Sequence, residues 1–254
     1  MLHVRRFGSG PEIIALHGFS LTGEQFSPGA GFLDRTIIAP DLPGHGSSRA
    51  QPSDIDRTLG SIEAILTAQG GSRPLIGYSQ GARLALLAAV EDPSEISVLV
   101  LISGTAGIRN QDERQSRREQ DHILAERIEA IGLDAFIDSW TSGGITSVTH
   151  LSDDFRRWDR EVRSQNSASG LSAALRGYGQ GVQPSVWDDL EQVTMPVLLV
   201  SGGRDARYTA LNNAMADLIP DAEFIVIDNA GHNPLADEPA ATYGAVSDFL
   251  DRHG

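Results

Sequence analysis

The sequence predicts an α/β fold in which helices flank a mostly parallel central sheet and a helical cap is inserted between two core strands. Short apolar runs alternate with helical stretches through most of the chain, which is the pattern of a parallel sheet covered by helices. This alternation fails between about residues 107 and 190. The 254 residues suffice for one such core, because single α/β domains commonly reach roughly 250 residues.

Six strands are predicted from short apolar runs, each of which ends in a loop containing Gly, Asp or His. They cover residues 12–16, 36–39, 73–78, 97–102, 197–201 and 224–228. A helix from Gln80 to about Val90 follows the third of these without a break. In open α/β sheets, binding sites collect at the carboxyl ends of the strands, so functional residues are expected in these loops.

The stretch that interrupts the strands is helical and charged. Its predicted helices cover residues 112–131, 133–140, 153–165 and 171–177. Strand signals resume only at Met195-Pro196-Val197. We therefore predict an α/β core formed by residues 1–106 and 191–254, and a helical cap, residues 107–190, that roofs a pocket over the strand ends.

Composition and charge exclude several functions. The formal charge of −14 argues against nucleic acid and anionic membranes as partners. No apolar run approaches the roughly 20 residues that cross a bilayer, and the first residues lack the apolar segment of a signal peptide. The absence of cysteine excludes disulfides and a Cys nucleophile, and no metal-ligand spacing is present. A cytoplasmic enzyme, monomeric or weakly homo-oligomeric, is expected.

A Gly-x-Ser-x-Gly motif occupies residues 77–81, between a predicted strand and a predicted helix. This sharp turn holds its serine in a strained backbone conformation, and neighbouring glycines are needed because Cβ atoms would clash. The chain order Ser, acid, His selects Asp205 and His232, which lie in the loops after the last two predicted strands. We therefore predict an α/β-hydrolase fold with Ser79, Asp205 and His232 as its catalytic triad.

The sequence His17-Gly18-Phe19 follows the first strongly apolar strand. In this fold, the loop at that place presents a backbone N–H, so the amides of Phe19 and Gln80 are expected to point at an oxyanion. The loop at residues 41–47 is expected to support the fold without contacting substrate. The other histidines are expected at the surface or in loops: His3, His45, His122, His150 and His253.

All 20 basic residues are arginines, whose planar guanidinium groups bind carboxylates through two hydrogen bonds. Arg83 lies in an otherwise apolar helix, four residues after Ser79 and on the same helix face. A buried arginine needs an anionic partner, which here is either a carboxylate of the cap or a ligand. Arg117 and Arg163 lie on charged helical stretches, which more often simply face water.

Several motifs resemble the family of 2-succinyl-6-hydroxy-2,4-cyclohexadiene-1-carboxylate synthases, the pyruvate-releasing enzymes of menaquinone biosynthesis. The more specific ones are Arg83, four residues after the serine, and Asp205-Ala206-Arg207-Tyr208. More general core matches are residues 16–19, 41–46 and 77–83, and cap matches are residues 113–117 and 121–127, Phe136 with Trp140, and residues 162–166 and 181–188. The likeness therefore covers nearly the whole chain.

The resemblance implies a lyase that needs no metal or cofactor and acts on a small polycarboxylate. In this interpretation, His232 activates Ser79 as a base that removes a proton alpha to a carbonyl, and the resulting enolate expels pyruvate. The expected substrate-binding residues are Tyr78, Arg83, Arg117, Trp140 and Arg163.

Two segments depart from the family's pattern. Residues 141–146 lack a Pro-Leu-Phe-like element, and residues 103–107 lack a proline before Gly107. Both lie beside the predicted pocket roof, so they bear on the substrate more than on the triad.

The alternative function is a carboxylic-ester or C–C bond hydrolase that uses Ser79 as a nucleophile. A non-catalytic ligand-binding protein is disfavoured because all three triad residues are present.

Overall fold

The computed structural model describes residues 1–68 and 70–254. Its centre is a seven-stranded sheet in the order β1-β3-β2-β4-β5-β6-β7, in which β1 runs antiparallel to β3 and the other pairings are parallel. The strands are β1 (Val4–Gly8), β2 (Glu12–Leu16), β3 (Thr36–Pro40), β4 (Arg73–Tyr78), β5 (Ile96–Ile102), β6 (Val197–Gly202) and β7 (Ala222–Ile227). The predicted fold class is confirmed, and all six predicted strands are present.

Nine α-helices accompany the sheet within the described ranges. They are α1 (Ile55–Leu66), α2 (Gln80–Glu91), α3 (Gln111–Ile131), α4 (Leu133–Thr141), α5 (Asp153–Ser164), α6 (Ala168–Tyr178), α7 (Ala206–Ala216), α8 (Pro234–Asp237) and α9 (Pro239–His253). Short 3-10 segments occur at Gly23–Gly31, Gly46–Ser48, Pro93–Glu95, Gly144–Thr146 and Leu190–Gln192. The helix α6 begins three residues before its predicted start, because the Ser167 side chain caps it by accepting the Gly170 N–H.

The core consists of two apolar layers, one on each face of the sheet. Alternate residues of a strand enter opposite layers. Ile14 belongs to the layer that contains residues of α1, α2 and α7, whereas Ile13 belongs to the layer that contains α9 and the 3-10 segment after β2. The central strands are buried on both faces, which explains why they are continuous apolar runs in the sequence.

The stretch between β5 and β6 contains helices and loops only, and α3, α4 and α6 share a small apolar cluster of their own. Phe19, from the loop after β2, packs against this cluster. Asn166 adds a polar connection, because its amide donates to Ser20 O at 2.8 Å and accepts the Gly46 N–H at 2.9 Å. The helical segment is therefore fastened to the loops at the carboxyl edge of the sheet. No helix in the described ranges is long and apolar enough to cross a membrane.

A buried carboxylate fixes the loop after β3. Asp41 accepts two hydrogen bonds from Arg5 of β1, at 2.9 and 3.1 Å, and one each from the amides of Gly23 and Ser47, both at 2.9 Å. Burial raises the pKa of Asp41, but the hydrogen bonds from Arg5 and from the amides outweigh that effect and hold it below its ordinary value. Asp41 therefore joins β1, the β2 loop and the β3 loop.

Candidate active site

The candidate catalytic residues follow three parallel strands at the same edge of the sheet. Ser79 follows β4, Asp205 follows β6 and His232 follows β7. Because the carboxyl ends of parallel strands meet at one edge, residues up to 153 positions apart in sequence become neighbours.

Ser79 occupies a strained turn between β4 and α2, with φ 50° and ψ −105°. The two motif glycines make this turn possible. A Cβ on Gly81 would lie 2.0 Å from the carbonyl oxygen of Leu16, and one on Gly77 would lie 2.5 Å from the backbone of Ala82. The sharp turn therefore presents the serine side chain above the sheet edge, at the N-terminus of α2.

The three side chains form a continuous hydrogen-bonded chain. Ser79 Oγ lies 3.0 Å from His232 Nε2, and His232 Nδ1 lies 2.7 Å from Asp205 Oδ2. The other carboxylate oxygen, Asp205 Oδ1, accepts the Tyr208 N–H at 3.2 Å. Burial raises the pKa of Asp205, but hydrogen bonds from His232 and from Tyr208 outweigh it and keep the pKa below its ordinary value. The carboxylate is thus ionised at neutral pH and selects the histidine tautomer whose Nε2 accepts the serine proton.

The amide N–H groups of Phe19 and Gln80 have no acceptor within the described part of the chain. The Gln80 amide lies at the start of α2, directly after Ser79, and the Phe19 amide lies in the loop after β2. Both residues line the same cavity as the serine. Two such donors next to a serine hydroxyl are suited to stabilising an oxyanion.

The loop that carries Phe19 is held by two buried histidines. His17 Nε2 accepts the Leu42 N–H at 2.9 Å, and His45 Nε2 accepts the Ser20 N–H at 3.3 Å. Burial lowers the pKa of His17 to about 4 and, with the neighbouring His17, that of His45 to about 3, so both stay neutral. His45 is a loop residue as expected, but it is fully buried.

A cavity of about 480 Å³ opens beside Ser79 and is walled by the sheet edge and by the helical segment. Every side chain that the sequence predicted for substrate binding lines this cavity: Tyr78, Arg83, Arg117, Trp140 and Arg163. Burial raises the pKa of Tyr78, so its hydroxyl stays neutral. The indole Nε1 of Trp140 is buried and has no hydrogen-bond partner within the described ranges.

The three predicted arginines differ in their counter-ions. Arg163 forms two hydrogen bonds to Asp159, at 2.7 and 3.0 Å, and Arg117 forms one to Asp121 at 2.9 Å. Arg83 is only 9% exposed, and none of the described carboxylates lies within 4.0 Å of it. Burial lowers its pKa to about 10, so the side chain stays charged at neutral pH. Arg83 therefore has no carboxylate in direct contact within the described ranges, one helical turn from Ser79, and the charges of Arg117 and Asp121 that also act on it have opposite signs.

Three of the other residues that line the cavity, Asp237, His150 and Arg204, form contacts that the sequence did not indicate. Asp237 accepts the Gly231 N–H at 2.6 Å and lies 2.8 Å from His150 Nε2, which places a contact between the helical segment and the loop before His232. Arg204, directly before Asp205, lies 3.7 Å from Asp237. The position of Arg204 next to the predicted acid was a usable signal, whereas the pairing of His150 with Asp237 joins residues 87 positions apart.

Acidic and histidine side chains do not cluster as a metal site within residues 1–68 and 70–254, since no group of three or more was found there.

Known proteins share both sequence and fold with this chain. The alpha/beta hydrolase family matches residues 13–245. A protein of Escherichia coli O1:K1 named 2-succinyl-6-hydroxy-2,4-cyclohexadiene-1-carboxylate synthase is 30% identical, over 94% of each chain. The protein of the same name from Salmonella arizonae is 31% identical, over 98% of this chain and 99% of that one.

Among solved structures, MenH from S. aureus aligns with a TM-score of 0.92 at 26% identity, covering 99% of both chains. A thermophilic esterase from Thermogutta terrifontis, solved with malate bound, aligns with a TM-score of 0.84 at 23% identity and covers 100% of this chain and 94% of its own, which shows the shared fold alone. The chain is an enzyme of the α/β-hydrolase superfamily and belongs to the 2-succinyl-6-hydroxy-2,4-cyclohexadiene-1-carboxylate synthase family.

Proposed function

We propose that the chain eliminates pyruvate from 2-succinyl-5-enolpyruvyl-6-hydroxy-3-cyclohexene-1-carboxylate, a step of menaquinone biosynthesis. The names of substrate and product define the bond changes. A proton leaves ring carbon 2, the 3-ene becomes a 2,4-diene, and the bond between carbon 5 and the enolpyruvyl oxygen breaks. The departing enolpyruvate takes up a proton and becomes pyruvate, so the reaction needs no redox partner.

The uncompensated charge of Arg83 is the observation that carries this proposal. A buried guanidinium without a carboxylate is costly, and a carboxylate of the substrate supplies the missing partner. The proposed substrate bears three carboxylates, on the ring, the succinyl chain and the enolpyruvyl group. Arg117 and Arg163 line the same cavity and would contact the others, with their own acids fixing their orientation.

In the proposed mechanism, the triad acts as a base. His232 takes the hydroxyl proton of Ser79, and the serine oxygen removes the proton at carbon 2, which is acidic because it is alpha to the succinyl ketone. The amides of Phe19 and Gln80 would stabilise the enolate oxygen, with the neutral Tyr78 hydroxyl beside them. The enolate then expels the leaving group through the ring double bond. Trp140 would wall the cavity.

A hydrolase that uses Ser79 as a nucleophile is the alternative, because the complete triad and the two free amides also suit acyl transfer. The two functions differ in the covalent state of the serine. Acyl transfer forms an ester on Ser79, whereas proton abstraction leaves the serine unmodified throughout turnover.

The test is pyruvate release from the enolpyruvyl substrate, measured with a coupled dehydrogenase assay. We expect rapid release by the native chain and a loss of about three orders of magnitude or more in Ser79→Ala. Ser164→Ala, at an exposed position of α5, is the matched control and is expected to keep full activity. Rapid ester cleavage with an acyl group on Ser79 by mass spectrometry, and no pyruvate release, would refute the lyase function.

The proposal also keeps the organisation expected from the sequence: residues 107–190 as a cap on a core of residues 1–106 and 191–254, in a cytoplasmic monomer or weak homo-oligomer. The separate apolar cluster of α3, α4 and α6 supports the cap. Limited proteolysis with and without substrate tests the boundaries of the cap. Sedimentation of the purified chain tests the oligomeric state.

A further inference from the structure

The guanidinium of Arg83 is held by a neutral amide. Arg83 Nη1 donates to Gln183 Oε1 at 2.9 Å, and the Gln183 side chain is fully buried, with only 1% of the residue exposed. Gln183 belongs to the helical segment and Arg83 to α2, so this hydrogen bond crosses between the two parts of the fold.

The backbone around Gln183 fixes the position of its amide. The N–H groups of Val182 and Gln183 both donate to Gly179 O, at 3.0 and 3.1 Å, so the chain makes a tight turn directly before Gln183. Gly181 in this turn packs so closely that a Cβ there would lie 2.2 Å from Arg118 N. The side chain of Gln183 therefore reaches Arg83 from a rigid base.

The nitrogen of this amide makes no use of its hydrogen atoms. Gln183 Nε2 is buried and has no hydrogen-bond partner among the residues that the structure describes. A glutamate of the same shape would replace that nitrogen with an oxygen, would lose no hydrogen bond, and would give Arg83 a counter-ion. What the amide offers in place of a glutamate is its neutrality.

The contrast with the other two arginines supports this point. Asp121 and Asp159 already balance Arg117 and Arg163. Arg117 and Arg163 also donate to neutral acceptors, Gln180 Oε1 and Ser20 Oγ, but each has its carboxylate as well. Of the three, only Arg83 is held by an uncharged acceptor without a carboxylate beside it in the described part of the chain. A carboxylate ligand therefore meets the full charge of Arg83. An acid at position 183 would neutralise that charge and weaken the attraction for the ligand.

We propose that Gln183 is a specificity-determining positioning residue, which orients Arg83 and leaves its charge uncompensated so that a substrate carboxylate becomes its counter-ion. The identity of that substrate rests on the proposed function, but the selectivity for a carboxylate does not. The role of Gln183 is exerted through Arg83, since Gln183 is buried behind it.

The decisive variant is Gln183→Glu. We expect its KM for the enolpyruvyl substrate to rise by about tenfold to a hundredfold, with kcat within about threefold of the native value, because the new ion pair competes with substrate binding and leaves the triad in place. Gln183→Met keeps the charge of Arg83 free and is expected to show a markedly smaller rise in KM. Gln192→Glu introduces the same charge at an exposed position and is the matched control.

Succinate binding tests the proposal without the reaction. By isothermal titration calorimetry, we expect succinate to bind the native chain and Gln192→Glu with equal affinity, and Gln183→Glu at least about tenfold more weakly. The rate at which diisopropyl fluorophosphate, a neutral reagent, labels Ser79 is expected to be the same in all of them, which shows that the triad is unchanged.

Three results would overturn the proposal: native affinity for succinate in Gln183→Glu, an equal loss in Gln183→Met, or no succinate binding by the native chain. Failure of the proposed function looks different. In that case the native chain releases no pyruvate, while the succinate affinities still separate the variants in the expected order.

Discussion

Replacing Asp205 with asparagine tests how the structure sets the proton position on His232. The Tyr208 N–H needs an acceptor at 3.2 Å, so the amide oxygen of the asparagine takes the place of Oδ1. Its NH₂ group then occupies the place of Oδ2, at 2.7 Å from His232 Nδ1. An NH₂ group donates, so Nδ1 must accept and the ring proton moves to Nε2. In that tautomer, Nε2 cannot take the proton of Ser79.

The expected loss follows from two costs. Turning the amide to restore the active tautomer sets the Tyr208 N–H against another donor, which costs about 1–3 kcal/mol and lowers the active fraction roughly tenfold to a hundredfold. The missing carboxylate charge beside the imidazolium that forms during proton transfer costs a comparable amount. We therefore expect kcat for pyruvate release to fall by about 10³ to 10⁴ in Asp205→Asn, with KM nearly unchanged.

Two measurements check this reasoning together. Steady-state pyruvate release gives kcat and KM, and ¹⁵N NMR of labelled histidine reports which ring nitrogen of His232 carries the proton. Asp188→Asn removes the same charge at an exposed position and is expected to behave as the native enzyme. Retention of more than about a tenth of the activity, or a protonated Nδ1 in Asp205→Asn, would refute the tautomer argument.

Three further outcomes concern the frame that holds the site. In the folded state the pKa of His17 is about 4 and that of His45 about 3, whereas both have a pKa of about 6.5 in the unfolded state. The unfolded state therefore binds more protons than the folded state below pH 6.5. The free energy of unfolding, measured by urea titration, should accordingly fall by about 2 kcal/mol per pH unit as the pH is lowered from 6 to 4. Gly81→Ala should prevent folding to the native state, seen as loss of the near-ultraviolet circular dichroism, since its Cβ meets Leu16 O at 2.0 Å. Asp41→Ala should lower the free energy of unfolding by about 3–5 kcal/mol, measured in urea. It leaves the amides of Gly23 and Ser47 without their acceptor and removes the buried carboxylate from Arg5, which keeps only Glu24 and Gln165.

Each of these outcomes has a matched comparison. His45→Gln should remove about half of the pH slope, whereas the exposed His122→Gln should leave it intact; equal slopes would show that the buried histidines do not govern acid stability. Gly60→Ala, with no atom within 4 Å of the new Cβ, should stabilise α1, so a similar effect of Gly81→Ala would contradict the packing argument. Asp251→Ala removes an exposed ion pair and should cost less than about 1 kcal/mol; a loss as large as that of Asp41→Ala would contradict the burial argument.

The sequence was sufficient for the fold class, and it selected the three proposed triad residues that the structure brings into hydrogen-bonding contact, because both depend on local signals. The strand, turn and helix around Ser79 are contiguous, and the order of strands along the chain placed Asp205 and His232 at the same edge. The counter-ions of Arg117 and Arg163 could also have been predicted from the sequence, since Asp121 and Asp159 lie four residues away on the same helix face.

The remaining features depend on contacts between distant parts of the chain. Gln183 meets Arg83 across 100 positions, and no pattern in a single sequence marks that pair. The burial of His45 was missed for a similar reason, since its surroundings come from the β2 loop and from Tyr178 of α6. Side-chain environments of this kind are set by tertiary packing and not by local spacing.

Ser79 is one of several residues with a strained backbone at the same edge of the sheet. Ser20, Ser103 and Asn229 also have positive φ, at 63°, 51° and 61°, and each lies in a loop that follows a strand. Only Ser79 needs its side chain for the proposed chemistry, and the buried hydroxyl of Ser103 has no partner within the described ranges. The proposed chemistry therefore does not account for the conformational cost at Ser103. Ser103→Gly removes both the backbone strain and the unpaired hydroxyl, so it is expected to raise the free energy of unfolding and to give a more heat-resistant enzyme.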